Sequence, residues 1–117
     1  MSDFRNLVVW QKAMVLAREV YRLTNRLPVE EKFSLSNQLR RSAISVPSNL
    51  AEGSKRRTKQ DFMQFLKIAS GSAAELETQL LLTKDVHHLS DENIFYSSQR
   101  GAKDARNVDE ASVDCWL

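Results

Sequence analysis

Apolar residues recur at alternating steps of four and three along most of this chain, which is the spacing of a helix with one buried face. The pattern predicts three long helices, over residues 7–26, 35–52 and 59–88. Beyond residue 96 it weakens. We therefore predict an all-α protein that has three long helices and a short or weak fourth helix.

The first predicted helix carries two apolar stripes. The inner stripe is Val9, Ala13, Leu16, Val20, Leu23 and Leu27, and the parallel stripe is Trp10, Met14, Ala17 and Tyr21. An apolar face this wide exceeds what one core requires. Either Trp10 and Tyr21 fill the core, or Trp10, Met14 and Tyr21 form part of a subunit interface. Since a large exposed apolar patch is unusual on a monomer, we expect a homo-oligomer.

The second predicted helix pairs an apolar stripe with a polar one. The apolar stripe is Leu39, Ala43, Val46 and Leu50, and the polar stripe is Arg41, Ser45, Ser48 and Glu52. Pro47 predicts a kink near residues 45–47, because proline cannot donate the helical hydrogen bond. We interpret Arg41, Ser45, Pro47, Asn49 and Glu52 as a structural polar motif. In it, Arg41 pairs with Glu52 or Asn49, or Glu52 pairs with the cations that follow the helix.

Several residues predict the helix boundaries. Ser34 is the predicted N-cap of the second helix, and Gly53 is predicted to lie just past its end. Thr58 and Asp61 form a capping-box-like pair before the third helix. The predicted core positions of the third helix are Phe62, Leu66, Ala69, Ala73, Leu76, Leu80 and Thr83. The run of small residues 69–74, with Gly71 at its centre, would let another helix approach closely.

The fourth helix is the least regular part of the pattern. Ser90 is its predicted N-cap, and Asp91 and Glu92 lie in its first turn. Its predicted packing residues are Ile94, Phe95 and Tyr96, followed by Ala102, Ala105 and Val108. Gly101 interrupts this stretch, so the sequence predicts a fourth helix that is short or weakly packed.

Composition places the chain among small globular proteins. Its 117 residues predict a single domain, residues 1–117, and 42% hydrophobic content suffices for a small core. One cysteine excludes an internal disulfide and suits a reducing compartment. No apolar run is long enough to span a membrane and no signal-peptide pattern is present, so we expect a cytoplasmic protein.

Charge is distributed unevenly along the chain. Residues 38–67 carry seven Lys and Arg against two Asp and Glu, whereas residues 68–117 carry four against nine. The basic centre could meet a polyanion, or the acidic tail of the same or another subunit. The candidate nucleic-acid-binding residues are Arg40, Lys55, Arg56, Arg57 and Lys59. Because no aromatic residues alternate with them, binding would be phosphate-directed and weakly sequence-specific.

Motifs of catalysis are missing from the sequence. It has no Gly-rich phosphate loop, no nucleophile motif and no pair of carboxylates on one helix face. His87 and His88 are adjacent and point to different sides of a helix, and Cys115 is distant from them. We therefore expect neither an enzyme, nor a metal site, nor a cofactor.

The strings QLRRSAISVPSNLAEG and FLKIASGSAAELETQL, separated by a basic turn, resemble the 23S ribosomal RNA intervening-sequence protein family. The opening VVWQKAMVLAREVYRLTNRLP matches as well. The resemblance covers about residues 7–89, and residues 90–117 diverge where the family has a last helix rich in leucine and methionine. It implies an antiparallel up-down-up-down four-helix bundle in the bacterial cytoplasm and a ring-shaped homo-oligomer, a pentamer.

The resemblance also implies partners. A relative of the family, the accessory protein of diversity-generating retroelements, looks like a protein that binds nucleic acid and a polymerase. The resemblance therefore implies that this chain binds RNA or DNA, with RNA favoured. The alternative is a protein-interaction adaptor that docks a partner protein and has no direct nucleic-acid role.

A frame change could explain the divergent end. Residues 107–111 can be encoded by codons whose shifted frame reads Met-Leu-Met-Lys, which resembles the missing family segment. We therefore hypothesise a single-base change of frame near residue 100. The gene sequence tests this hypothesis, which fails if no shifted frame resembles the family.

Overall fold

The computed structural model describes residues 3–87 and 92–113, and every regular element in these two ranges is helical. The four α-helices are α1 (Val8–Thr24), α2 (Leu35–Ser54), α3 (Lys59–Val86) and α4 (Glu92–Arg106). Single 3-10 turns lie at Phe4–Asn6, Val29–Glu31 and Glu110–Ser112. With 15 residues against 28 in α3, α4 confirms the prediction of a short fourth helix.

Contacts between the helix ends fix an antiparallel order. Gly53 at the end of α2 lies against Phe62 at the start of α3. The ammonium of Lys84, near the end of α3, lies 5.7 Å from the ring centre of Phe95, near the start of α4. Leu16 of α1 contacts Gly101 of α4. These contacts confirm the up-down-up-down four-helix bundle.

The predicted core positions are buried, with one position on α1 only half-buried. All seven predicted positions of α3 are buried, as are the four of α2 and five of the six in the inner stripe of the first predicted helix, whose last residue, Leu27, follows α1. Val9 is the half-buried exception. Because burying one large aliphatic side chain contributes about 1.5–3 kcal/mol, this shared face is the main source of stability.

Helix α4 packs closely against α1 at its glycine. Phe95, Ala102 and Ala105 are buried as predicted, whereas Tyr96 is 51% exposed and does not pack in the core. Tyr96 is one residue away from the buried face, so it points about 100° around the helix. A Cβ at Gly101 would lie 2.9 Å from Leu16 Cδ1, so this glycine permits α4 to approach α1.

The segment after α4 packs at the end of the bundle where α3 begins. Asp109 and Ser112 form a reciprocal capping box around the last 3-10 turn. Val113, which the sequence pattern did not single out, is fully buried in the core. Glu110 forms an ion pair with Lys59. The acidic tail therefore meets the basic centre within the same subunit.

The predicted helix boundaries require two corrections. Gly53 lies inside α2, where it is buried and has a negative φ, so it is not a left-handed residue past the helix end. Ser34 occupies the predicted N-cap position of α2, but its side chain makes no capping hydrogen bond, and its hydroxyl instead donates to the Glu31 carboxylate at 2.7 Å. The Thr58 cap is confirmed, since its side chain accepts the Asp61 N–H at 3.1 Å. Ser90, Asp91 and His88 lie outside the described residues.

The polar motif of α2 links this helix to α3. The Asn49 amide donates to the Ser45 carbonyl at 2.7 Å, and the Ser45 and Ser72 hydroxyls are hydrogen-bonded at 2.7 Å. Helix α2 is continuous across Pro47, and a kink centred there stays a prediction. Of the two alternatives for Glu52, its pairing with a cation that follows the helix is the one observed, because Glu52 pairs with Arg56 and not with Arg41. Arg41 is exposed and lines a small polar depression.

One ion pair predicts a pH dependence of stability. The imidazole of His87 lies 2.6 Å from the Glu31 carboxylate, and this contact holds the pKa of Glu31 below its ordinary value of 4.5. A carboxyl group whose pKa is lower in the folded state stabilises the fold at pH values above its pKa in the unfolded chain. This contribution is lost as the pH falls through the pKa of the folded state. We expect Glu31→Gln to be less stable than the parent near pH 6, with the difference shrinking toward about pH 3 in urea denaturation. A difference that is constant over this range would contradict the prediction.

Candidate nucleic-acid interface

The candidate interface is the connection between α2 and α3, here called the basic turn and defined as Lys55, Arg56, Arg57 and Lys59. The turn is ordered by backbone hydrogen bonds, since the Lys55 and Arg56 N–H groups donate to the last carbonyls of α2 at 3.2 and 3.0 Å. All four side chains are exposed. The turn therefore presents four cations within five residues at one end of the bundle.

Two of these cations form ion pairs. The Arg56 guanidinium lies 3.0 Å from the Glu52 carboxylate and 4.6 Å from the Phe65 ring centre. Lys59 pairs with Glu110. These exposed pairs reduce the charge that a polyanion would meet, although each contributes little to stability.

The other two cations have no ion pair within residues 3–87 and 92–113. The Lys55 ammonium lies 5.7 Å from the Phe4 ring centre, and Arg57 is exposed. Lys55 also acts on Asp3, whose pKa is lowered to about 2, mainly by hydrogen bonds from Arg5 and to a smaller extent by the Lys55 charge. Arg57 and Lys55 are therefore the residues of the basic turn most available to an incoming anion.

Arg40 lies elsewhere. It precedes Lys55 by fifteen residues on α2, which separates them by about 22 Å. Its guanidinium donates to Thr24 Oγ1 at 2.8 Å and to Asn25 Oδ1 at 2.9 Å, and it covers the Tyr21 ring at 4.6 Å. The structure thus separates Arg40 from the predicted cluster and uses it to fasten α2 to the end of α1.

A second surface lies between α1 and α2 and is here called the apolar groove. It is an open depression of about 620 Å³, and its main apolar lining is Trp10, Met14, Tyr21, Ile44, Pro47 and Ala51. Tyr21 is 39% exposed, so it does not fill the core as one interpretation had it, whereas Trp10 is half-buried and packs against the core. A role in a subunit interface stays a prediction.

The groove carries a signal that the sequence reading missed. Ile44, Pro47 and Ala51 are spaced by three and four residues, so they form a second apolar stripe on α2 beside its core stripe. Read together with the second stripe of α1, they would have predicted a shared apolar surface. The sequence held no comparable signal for the contacts of Arg40, which depend on how α1 ends.

Metal-ligating side chains do not cluster in the described ranges. Within them, no three His, Cys, Asp or Glu side chains gather closely enough to hold a metal ion. The helices in the same ranges are also too short or too polar for any of them to cross a membrane.

Comparisons with known proteins agree with this architecture. The structure is similar to the crystal structure of a protein with unknown function from the S23 ribosomal protein family of Bacteroides thetaiotaomicron, at a TM-score of 0.75 and 25% identity. The similarity covers 92% of this chain and 97% of that one. No functionally curated protein matches the sequence.

A family model also matches the sequence, over residues 5–103. Residues 90–103 are included, beyond the stretch that carried the resemblance. Because the matched residues make up most of the sequence, the chain belongs to the 23S rRNA-intervening sequence protein family.

Proposed function

We propose that this protein is a non-enzymatic, self-associating helical bundle that binds RNA through its basic turn. The observation that carries the proposal is the exposed group of Lys55, Arg56 and Arg57 on an ordered turn. These side chains can reach phosphates without reading bases, so binding would be largely independent of sequence. The family's name connects it with 23S rRNA, which favours RNA over DNA.

Self-association would strengthen such binding. In a ring, each subunit would present its basic turn at the same height, and a backbone-tracking polyanion could bind several turns at once. The apolar groove supports self-association, because it leaves Trp10, Met14 and Tyr21 partly in water. A pentamer is the expected form by family resemblance. A cytoplasmic location belongs to the same proposal, because one cysteine and no disulfide suit a reducing compartment.

The test is a triple substitution, Lys55→Gln, Arg56→Gln and Arg57→Gln. We expect weaker binding to unrelated single-stranded RNAs, by about tenfold or more near 0.1 M salt, and a flatter dependence on salt. The log–log slope should decrease by roughly 0.7 for each phosphate that the variant no longer neutralises. Fluorescence anisotropy over a salt series measures both quantities. Stability should change little, because among the residues that the structure describes the substitutions remove one ion pair, the exposed Arg56–Glu52 pair.

The matched control removes three cations that lie outside the basic turn: Lys32→Gln, Lys84→Gln and Arg100→Gln. It has the same net charge as the test variant, so a general decrease in attraction would affect both equally. We expect the control to retain most of the RNA affinity. If the test variant binds RNA as tightly as the parent at every salt concentration, the basic turn is only a solvated loop.

The second candidate function is a protein-interaction adaptor, and the apolar groove is the observation that favours it. Native mass spectrometry with absorbance at 260 nm distinguishes the two functions. Retained nucleic acid favours RNA binding, whereas co-purification of a protein with no nucleic acid favours the adaptor.

A further inference from the structure

The outward face of α3 carries apolar residues that the core does not use. Ile68 and Leu82 are 50% and 52% exposed, and Gly71 and Glu75 lie between them on the same face. The four residues are spaced by three, four and seven helical steps, so they form one stripe, here called the α3 stripe. At Gly71 a Cβ would meet no heavy atom within 4 Å. The open space at Gly71 therefore lies one turn from Ile68, and Leu82 extends the stripe about 16 Å further along the helix.

The apolar groove has a cationic rim. Arg18 and Arg22 line it, and its lining includes no acidic residue. Neither arginine has an ion pair in the described part of the chain. If two grooves faced each other across a two-fold axis, these arginines would approach one another at a cost in free energy. The groove therefore suits a partner surface that is apolar and carries negative charge.

The α3 stripe has this chemistry. It presents two large apolar side chains and one carboxylate, that of Glu75, with no lysine or arginine among its four residues. Arg41 lines the same polar depression as Glu75 but forms no ion pair with it in the described ranges. The Glu75 carboxylate is thus available to the arginines of another copy, and the empty space at Gly71 lets a second helix approach closely.

The two surfaces also match in length. Trp10 and Tyr21 lie eleven residues apart on α1, which corresponds to about 16 Å, and Ile68 and Leu82 lie fourteen residues apart on α3, about 21 Å. We propose that the α3 stripe of one copy seats in the apolar groove of the next copy. Because the two surfaces differ, the interface is head-to-tail, which builds a ring if the rotation closes. This inference rests on the self-association in the proposed function.

Two lysine substitutions test the two surfaces separately. Ile44→Lys places a charge in the groove, and Ile68→Lys places one in the stripe; these residues are 43% and 50% exposed, so the folded subunit should tolerate both. We expect each variant to raise the dissociation constant of the assembly by about tenfold or more in sedimentation velocity. The expected change corresponds to at least about 1.4 kcal/mol.

The chain offers a matched control for each variant. Val15→Lys lies on α1 outside the groove lining, and Leu81→Lys lies on α3 about 140° around the helix from Ile68. Val15 and Leu81 are 51% and 45% exposed, close to the two test residues. The controls should assemble like the parent. Equally weakened assembly in test and control variants would overturn the proposal.

Mixing the two test variants gives the sharpest result. An Ile44→Lys copy retains an intact α3 stripe, and an Ile68→Lys copy retains an intact groove, so one productive interface can form between them. We expect an equimolar mixture to form a 1:1 dimer and to stop there. If Ile68→Lys alone assembles like the parent, the groove pairs with something other than the stripe, and the proposal is wrong.

RNA binding by the same samples separates this inference from the proposed function. A parent protein that binds RNA but remains monomeric at micromolar concentration refutes the docking and leaves RNA binding standing. If the variants assemble in the predicted pattern but the protein does not bind RNA, the docking proposal stands and the RNA-binding proposal fails. If Ile44→Lys weakens RNA binding while assembly is unchanged, the groove is an RNA-binding surface and the docking proposal is overturned.

Discussion

Replacing Gly53 with alanine should destabilise the bundle by up to about 2 kcal/mol. The added Cβ would lie 2.7 Å from Phe65 Cβ and 3.0 Å from Phe62 Cδ1. The Phe65 Cβ is attached directly to the backbone of α3, so relieving the clash requires the two helices to separate. Overpacking of this kind costs typically 1–3 kcal/mol, which exceeds the gain of about 1 kcal/mol in helix propensity. Urea denaturation followed by circular dichroism measures the difference.

Gly71→Ala is the matched control for this substitution. Gly71 is also inside a helix, but no heavy atom lies within 4 Å of its would-be Cβ. Alanine should therefore stabilise the subunit by up to about 1 kcal/mol through helix propensity alone. Both variants are compared at concentrations below assembly. If Gly53→Ala is as stabilising as Gly71→Ala, the α2–α3 packing is looser than the structure shows.

The Gly53 position shows where local sequence rules fail. Glycine near a helix end ordinarily indicates a left-handed cap, and the sequence pattern around Gly53 favours that interpretation. In the structure, glycine is required because α3 passes closely, a cause that only the tertiary packing reveals. Both causes select the same amino acid at the same position. The buried faces were predictable because helical periodicity alone specifies them, as the seven buried positions of α3 show.

The candidate interface was only partly predictable for a related reason. Lys55, Arg56 and Arg57 are adjacent in sequence, so their proximity required no knowledge of the fold. Glu52, which neutralises Arg56, is only four residues away in the sequence. The acidic neighbours of Lys55 and Lys59 come from distant segments, with Asp3 before α1 and Glu110 after α4. Arg40 belongs to the cluster in sequence but is separated from it by the length of a helix. Charge runs along a chain therefore predict a surface only within one turn.

Residues 109–113, which follow α4, are part of the fold. The family match ends at residue 103, yet the chain continues through a capping box and an ion pair with the basic turn before Val113 enters the core. A change of reading frame near residue 100 stays a prediction that the gene sequence tests. Whatever the origin of these residues, the structure gives them a measurable role in stability.

Val113→Asp measures that role, and we expect it to destabilise the protein by at least about 3 kcal/mol. Val113 is fully buried in the core, so the new carboxylate would lose its hydration without gaining a paired charge. Ala111→Asp is the matched control, because Ala111 is exposed two residues earlier in the same segment. The control should change stability by no more than about 0.5 kcal/mol. Chemical denaturation of both variants gives the comparison, and equal stability would show that the segment after α4 does not belong to the folded core.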